Sequence, residues 1–112
     1  MATVRHLVRG IQREVRTGDL LPERAAELLM QATALLGNVA DEIREADMAY
    51  AHVLLRELET NAKANRARIR AECSTEFQRR QEARDVKELV VEICRSLKYF
   101  LRVKEEELRL TR

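Results

Sequence analysis

The chain has 112 residues, of which 36% are charged and 4% aromatic, with a net charge of +2. This length suits one domain with a hydrophobic core, and a net charge this small does not by itself imply a polyanionic partner. The chain contains no run of 18 apolar residues that would span a bilayer, and its first ten residues lack the apolar segment of a secretory signal.

The cysteines, Cys73 and Cys94, lack the spacing of a metal site or a CxxC motif. We therefore expect reduced thiols in a cytoplasmic protein. With three glycines and one proline, the composition indicates long helices joined by short loops.

The first predicted helix covers residues 3–17 and is amphipathic. Its apolar stripe is Val4, Leu7, Val8, Ile11 and Val15, and its basic face is Arg5, Arg9, Arg13 and Arg16. We expect it to pack with the arginines outward, because a membrane-surface helix would carry tryptophan or phenylalanine anchors. Gly18 is predicted to end this helix in the left-handed conformation, and Pro22 to lie in the first turn of the next.

The second predicted helix runs from about residue 22 to 70. Apolar residues alternate at spacings of three and four, which is the pattern of a helix edge packed against another helix. This seam consists of Leu29, Ala32, Leu36, Val39, Ile43, Ala46, Tyr50 and Val53. Two alternatives exist at Gly37 and Asn38: the helix breaks or kinks there, or it passes through at a cost of about 1 kcal/mol against alanine.

A third helix is predicted from Thr75 to Leu110. Ser74 or Thr75 can cap it, and Thr75 with Gln78 has capping-box spacing. A turn near Cys73 would place Ile69 opposite Phe77, Leu58 opposite Leu89, and Tyr50 opposite Leu97. The sequence therefore predicts an all-α fold: a long antiparallel, coiled-coil-like helical hairpin with an additional N-terminal helix.

Apolar residues also lie off this pairing line, namely Leu35, Leu55, Val90, Val91 and Val103. Apolar residues outside the contact between the two helices indicate that a third helical layer covers them. The first helix, another subunit or both would supply it, and we expect a homo-oligomer that forms a helical bundle.

The predicted hairpin tip is rich in basic residues. The candidates for contact with an anion are Lys63, Arg66, Arg70, Arg79, Arg80 and Arg84. Such a tip would bind nucleic acid, a nucleotide or an acidic protein. The alternative is a solvated coiled-coil tip with intrahelical pairs such as Arg68–Glu72. Phe77 is the only aromatic residue at the tip, which argues against base stacking.

A second basic candidate is a face of the third helix formed by Arg95, Lys98, Tyr99 and Arg102. Positions i, i+3, i+4 and i+7 share one face of a helix, so these side chains together would grip a phosphate. The alternative is that the long basic side chains flank the bundle and cover it with their methylene groups.

Signals for catalysis and metal binding are absent from the sequence. His6 and His52 have no ligand-spaced partner, and Glu42 with Glu45, like Glu105–Glu107, are interpreted as solvated carboxylates. No glycine-rich phosphate loop or nucleophile elbow occurs. We therefore predict no enzyme activity, no metal and no cofactor.

Residues 37–109 resemble short all-helical proteins of bacteriophages and prophages. The resemblance is carried by the acidic segment ending in Tyr50, the stretch Lys63-Ala64-Asn65-Arg66, the turn at Ser74, and Ser96-Leu97-Lys98-Tyr99 followed by Arg102. It implies a viral origin and an accessory role in the host cytoplasm.

The resulting hypothesis is a phage-type, non-enzymatic helical oligomer that acts by binding a partner macromolecule such as a host protein. One alternative is a receptor or sponge for a small anionic ligand such as a nucleotide, bound at a subunit interface by basic residues and tyrosine. Another is nucleic-acid binding through the basic tip.

Overall fold

The computed structural model describes residues 4–111. In this range the chain forms four helices: α1 (Val4–Arg16), α2 (Pro22–Thr60), α3 (Ala64–Glu72) and α4 (Thr75–Leu110). No strand occurs between residues 4 and 111, which confirms the all-α class. None of these helices combines the length and apolar character needed to cross a membrane. Thr3, the predicted start of the first helix, lies outside the described residues.

The end of α1 and the start of α2 follow from local chemistry. The hydroxyl of Thr17 donates a hydrogen bond to the carbonyl oxygen of Glu14 at 2.7 Å. Gly18 then adopts a φ of 79°, a left-handed conformation that side chains with a Cβ disfavour. Pro22 is the first residue of α2, where its missing N–H leaves no hydrogen bond unmade.

The prediction that the second helix extends to about residue 70 is wrong, since α2 ends at Thr60. The chain passes through Gly37 and Asn38 as unbroken helix. At the actual end, the Thr60 hydroxyl donates to the carbonyl of Arg56 at 3.2 Å, and Nδ2 of Asn61 donates to that of Glu57 at 2.8 Å. These side chains satisfy carbonyls of the last turn and so favour termination there.

The turn between α3 and α4 is capped by Ser74. Its Oγ accepts a hydrogen bond from the Phe77 N–H at 3.2 Å, and its hydroxyl donates to the carbonyl of Ala71. Ser74 is therefore the N-cap, whereas Thr75 is already the first residue of α4. The Thr75 hydroxyl contacts Glu76, so the predicted capping box with Gln78 does not form.

The chain divides into two compact units, and both α2 and α4 contribute to each of them. The first unit combines Met1–Asn38 with Val86–Arg112, and the second is Val39–Asp85. The core of the first unit contains Val8, Ile11, Ala25, Leu28, Ala32, Leu35, Val90, Ile93, Cys94 and Leu97. In this unit α1 supplies a third helical layer, and Leu35 and Val90, which lay off the predicted pairing line, are buried there.

The buried edge of α2 in the first unit contains Ala32, as predicted, but at both leucine positions it lies one residue earlier than predicted. Leu28 and Leu35 are 1% and 8% exposed, whereas Leu29 and Leu36 are half-buried. Together with Ala25 and Ala32, the buried leucines form a regular heptad edge. The predicted leucines flank this edge.

The second unit has a core of small side chains, consisting of Val39, Ala46, Val53, Ala67, Ala71 and Ala83. Alanine at a helix contact permits close approach but buries little apolar area. The larger apolar residues Met48, Leu55, Leu58 and Ile69 are instead 44–60% exposed. Unit two therefore derives less stabilisation from apolar burial than unit one does.

Replacing Leu28 by alanine should lower the free energy of unfolding by about 2–5 kcal/mol, because it leaves a cavity in the first unit. The matched control Met30→Ala, on the same helix but 75% exposed, should change it by less than about 0.5 kcal/mol. Urea denaturation followed by circular dichroism measures both. Equal losses would contradict the assignment of the buried edge.

An ion pair joins α1 to α2 in the first unit. Nη2 and Nε of Arg24 donate to the two carboxylate oxygens of Glu14 at 2.6 and 2.8 Å. This hydrogen bonding, aided by the charge of Arg24, holds the pKa of Glu14 below its ordinary value. A lowered pKa in the folded state stabilises the fold above the unfolded-state pKa, and the contribution is lost as the pH falls through the folded-state pKa.

The wild-type protein should therefore be more stable than Glu14→Gln at neutral pH, and the difference should shrink as the pH drops below about 4. Parallel urea titrations of the two proteins at several pH values test this. A stability difference that stays constant down to strongly acidic pH would refute the role of the Glu14 carboxylate.

Candidate functional site

Arg79, one of the basic tip candidates, forms ion pairs with acidic side chains of α2. Its Nε and Nη2 donate to the two carboxylate oxygens of Glu42 at 2.8 and 3.3 Å, and Nη2 also reaches Glu45 at 3.3 Å. The hydrogen bond to Glu42 is the main reason that the pKa of Arg79 is raised. The two glutamates, expected to be solvated carboxylates, are thus partners of an α4 arginine.

Arg80 and Arg84 share a second acid of α2. Asp47 Oδ1 accepts hydrogen bonds from Nε of Arg80 at 3.0 Å and from Nη2 of Arg84 at 3.4 Å. The guanidinium of Arg80 also lies 5.0 Å from the ring centroid of Tyr50, a distance typical of a cation–π contact. Arg80 is the more enclosed of the two arginines, with its side chain 25% exposed against 45% for Arg84.

The aromatic contact beside Arg80 corrects the predicted helix register. The rings of Tyr50 and Phe77 are 5.4 Å apart and tilted by 53°, so Phe77 occupies the position that the prediction assigned to Leu97. The prediction was wrong because it treated residues 22–70 as one helix that turns at Cys73. Because α2 ends at Thr60, α3 is a separate helix. The residue of α4 that contacts Tyr50 is therefore Phe77, twenty positions earlier than the predicted Leu97. Ile69, predicted to face Phe77, is 59% exposed.

The basic residues of α3 are arranged differently from those of α4. Lys63, at the N-cap of α3, and Arg66, Arg68 and Arg70 within it are all exposed. Between residues 4 and 111 none of these four forms an ion pair, and the suggested Arg68–Glu72 pair is not made. We call these four residues the α3 cationic surface.

The orientation of α3 explains why its cations are exposed. Ala67 and Ala71 are fully buried and hold one side of this short helix against the second unit. The intervening positions must then point away from the core, since a helix turns by about 100° per residue. Ile69 lies on this outward side between Arg68 and Arg70. The α3 cationic surface therefore surrounds an exposed apolar side chain.

The second predicted candidate lies on the first unit. Arg95, Lys98, Tyr99 and Arg102 are all exposed on one face of α4, and Arg95 donates a hydrogen bond to Glu92 at 2.8 Å. Tyr99 is 67% exposed. A small anion bound to these residues would therefore remain in contact with water unless a second chain covered it.

The remaining predicted features are also at the surface. Exposed side chains on α1 include Arg5, His6, Arg9, Arg13 and Arg16, and His52 is exposed on α2. Within residues 4–111, no three side chains of histidine, cysteine, aspartate or glutamate cluster in a way that would hold a metal ion. Cys73 is exposed and Cys94 buried, and both are free thiols.

No protein-family model matches the chain, and neither a curated protein nor a solved structure matches it. Its function is therefore argued from its own surfaces.

Replacing Asp47 by asparagine should lower the free energy of unfolding by about 1 kcal/mol, because it removes the charged acceptor shared by Arg80 and Arg84. The control Asp41→Asn disrupts only an exposed pair with Arg44 at 3.4 Å and should cost less than about 0.5 kcal/mol. Chemical denaturation compares the two variants. A loss no greater for Asp47→Asn than for Asp41→Asn would show that the interhelical pairs do not stabilise the second unit.

Proposed function

We propose that this protein is a non-enzymatic helical module that binds a partner macromolecule through the α3 cationic surface. The supporting observation is that some of its basic residues pair with acidic side chains and others do not. Arg79, Arg80 and Arg84 are engaged by acids of α2, whereas Lys63 and the α3 arginines have no acidic partner in the described chain. Unpaired cations attract an anionic surface and accelerate its encounter with the protein.

The chemistry around these cations favours an acidic protein over nucleic acid. Ile69 is 59% exposed in their midst, and an apolar anchor ringed by charge is common in protein interfaces. Single-stranded nucleic acid is usually held by aromatic stacking. The nearby aromatic residues Tyr50 and Phe77 pack against each other, which leaves their rings less available to a base.

We also propose a biological setting for this protein. The resemblance of residues 37–109 to phage proteins supports an accessory role in which the partner is a host protein in the host cytoplasm. Self-association is part of this proposal, because a homo-oligomer would present several α3 cationic surfaces at once and thereby increase avidity.

The variant Arg66→Glu/Arg70→Glu should bind the partner at least about tenfold more weakly, since it replaces attraction with repulsion at two positions. A photo-crosslinking amino acid at position 69, introduced in both proteins, would capture the partner in extracts of the cells where the protein is naturally made. We expect a discrete protein adduct that is lost in the reversed variant. The matched control Arg95→Glu/Arg102→Glu changes the same charge on the other unit and should keep the adduct.

Fluorescence anisotropy with a labelled duplex and a labelled single strand of DNA distinguishes binding of an acidic protein from binding of nucleic acid. The acidic-protein proposal predicts no binding at physiological salt. Binding that weakens steeply with salt and with the α3 reversals would instead establish nucleic-acid binding. An adduct that persists equally in the α3 variant would refute the role of the α3 cationic surface.

A further inference from the structure

The helix α3 is held in the second unit by little more than two alanine methyl groups. Of its nine residues only Ala67 and Ala71 are buried, and alanine contributes little apolar area to a core. Among residues 4–111, no side chain of α3 forms a hydrogen bond or an ion pair with another helix. Polar contacts therefore do not compensate for the small apolar contact.

The N-terminal end and the charges of α3 also oppose the helical form. Its N-cap is Lys63, whose side chain makes no capping hydrogen bond, because an ammonium group cannot accept one. The first turn contains no acid, and the charges of Lys63 and Arg66 are unfavourable near the positive end of the helix dipole. Arg66 and Arg70, which are four residues apart, repel each other. A helix of nine residues is also too short to be stable on its own in water.

The helices on either side of α3 have end caps and contacts of their own. Hydrogen bonds from Thr60 and Asn61 satisfy carbonyls at the end of α2, and Ser74 caps the start of α4. The ion pairs and the ring contact between α2 and α4 join residues 42–50 to residues 77–84. These contacts do not involve α3, so they would remain in place if α3 unfolded.

We propose that α3 opens locally in the free protein while α2 and α4 remain folded, and that binding of the partner holds it closed as a helix. The coupling rests on the proposed function, in which the partner of the α3 cationic surface is an acidic protein. Acidic groups beside Lys63, Arg66 and Arg70 would remove the repulsion that opposes the helix. The helix in turn places these three cations on one side, next to Ile69. Folding of α3 and binding of the partner therefore favour each other.

Hydrogen exchange of the whole protein, resolved by NMR and repeated in urea below the unfolding transition, tests the local opening. The hydrogen-bonded amides of residues 68–72 should have protection factors at least about tenfold lower than those of residues 79–85 in α4. Their protection should hardly depend on urea, because the opening of a short helix exposes little surface. Equal protection in the two segments, falling in parallel with urea, would show that α3 unfolds only together with the second unit and would overturn the proposal.

A pair of variants of equal charge, Arg68→Ala and Arg68→Gly, tests the local opening in a second way. Arg68 is exposed in the middle of α3, where glycine favours the open form about fivefold over alanine. Arg68→Gly should therefore show α3 protection factors about fivefold lower than Arg68→Ala, with α4 unchanged. In the matched control pair, Gln81→Ala and Gln81→Gly at an exposed position of α4, the difference should appear in α4 and not in α3. Equal changes in both helices would contradict local opening.

Poly-L-glutamate at low salt serves as the acidic probe for the coupling between folding and binding. A saturating concentration should raise the protection factors in α3 at least about tenfold, since the probe binds the helical form more tightly than the open form, and should leave those in α4 unchanged. The variant Arg66→Glu/Arg70→Glu should show no such increase. The matched control Arg95→Glu/Arg102→Glu, with the same change of charge on the other unit, should show it in full.

The outcomes separate this inference from the function proposed for α3. Polyglutamate that binds the wild type but not the Arg66→Glu/Arg70→Glu variant, with α3 protection unchanged, would support the α3 cationic surface and overturn the coupled folding. A failure of polyglutamate to bind the wild type, measured by the fluorescence anisotropy of a labelled sample, would contradict the proposed function and the coupling with it. Low α3 protection in the free protein that rises when polyglutamate binds would support both.

Discussion

The second unit depends on the pairing of acids on α2 with arginines on α4. Its core contains mostly alanine and valine, so apolar burial contributes less there than in the first unit with its leucines. Glu42 binds Arg79, Asp47 binds Arg80 and Arg84, and the ring of Tyr50 contacts both Arg80 and Phe77. These contacts fix which residues of α2 and α4 face each other.

The same pairing determines which charges remain for a partner. Three of the six basic tip candidates are committed to the fold, and the α3 segment keeps its cations because Ala67 and Ala71 turn the other side of α3 to the core. The nine-residue helix α3, which lies between α2 and α4 in the chain, thus holds positive side chains at the surface.

The sequence predicted those elements whose signals are local. Gly18, Pro22 and Ser74 act through their own backbone or side chain, and they place the end of α1 and the starts of α2 and α4 within a residue or two. The break after Thr60 was missed because threonine and asparagine are also tolerated inside helices, and their capping role depends on which carbonyls they reach. Once that break was missed, the hairpin register was wrong, and Glu42 and Asp47 could not be matched to their arginines. The basic candidates were found by composition, but only interhelical geometry separates paired from unpaired ones.

The most direct test of this account is the mobility of individual arginine side chains, measured by nitrogen-15 relaxation at Nε in the free protein. Arg79 and Arg80, held by carboxylates and, for Arg80, by the Tyr50 ring, should have restricted guanidinium motion. Arg66, Arg68 and Arg70 should move on the picosecond to nanosecond timescale of solvated side chains. If the α3 arginines proved as restricted as Arg79 and Arg80, this would contradict the conclusion that acids of α2 hold Arg79 and Arg80 whereas the α3 arginines remain solvated.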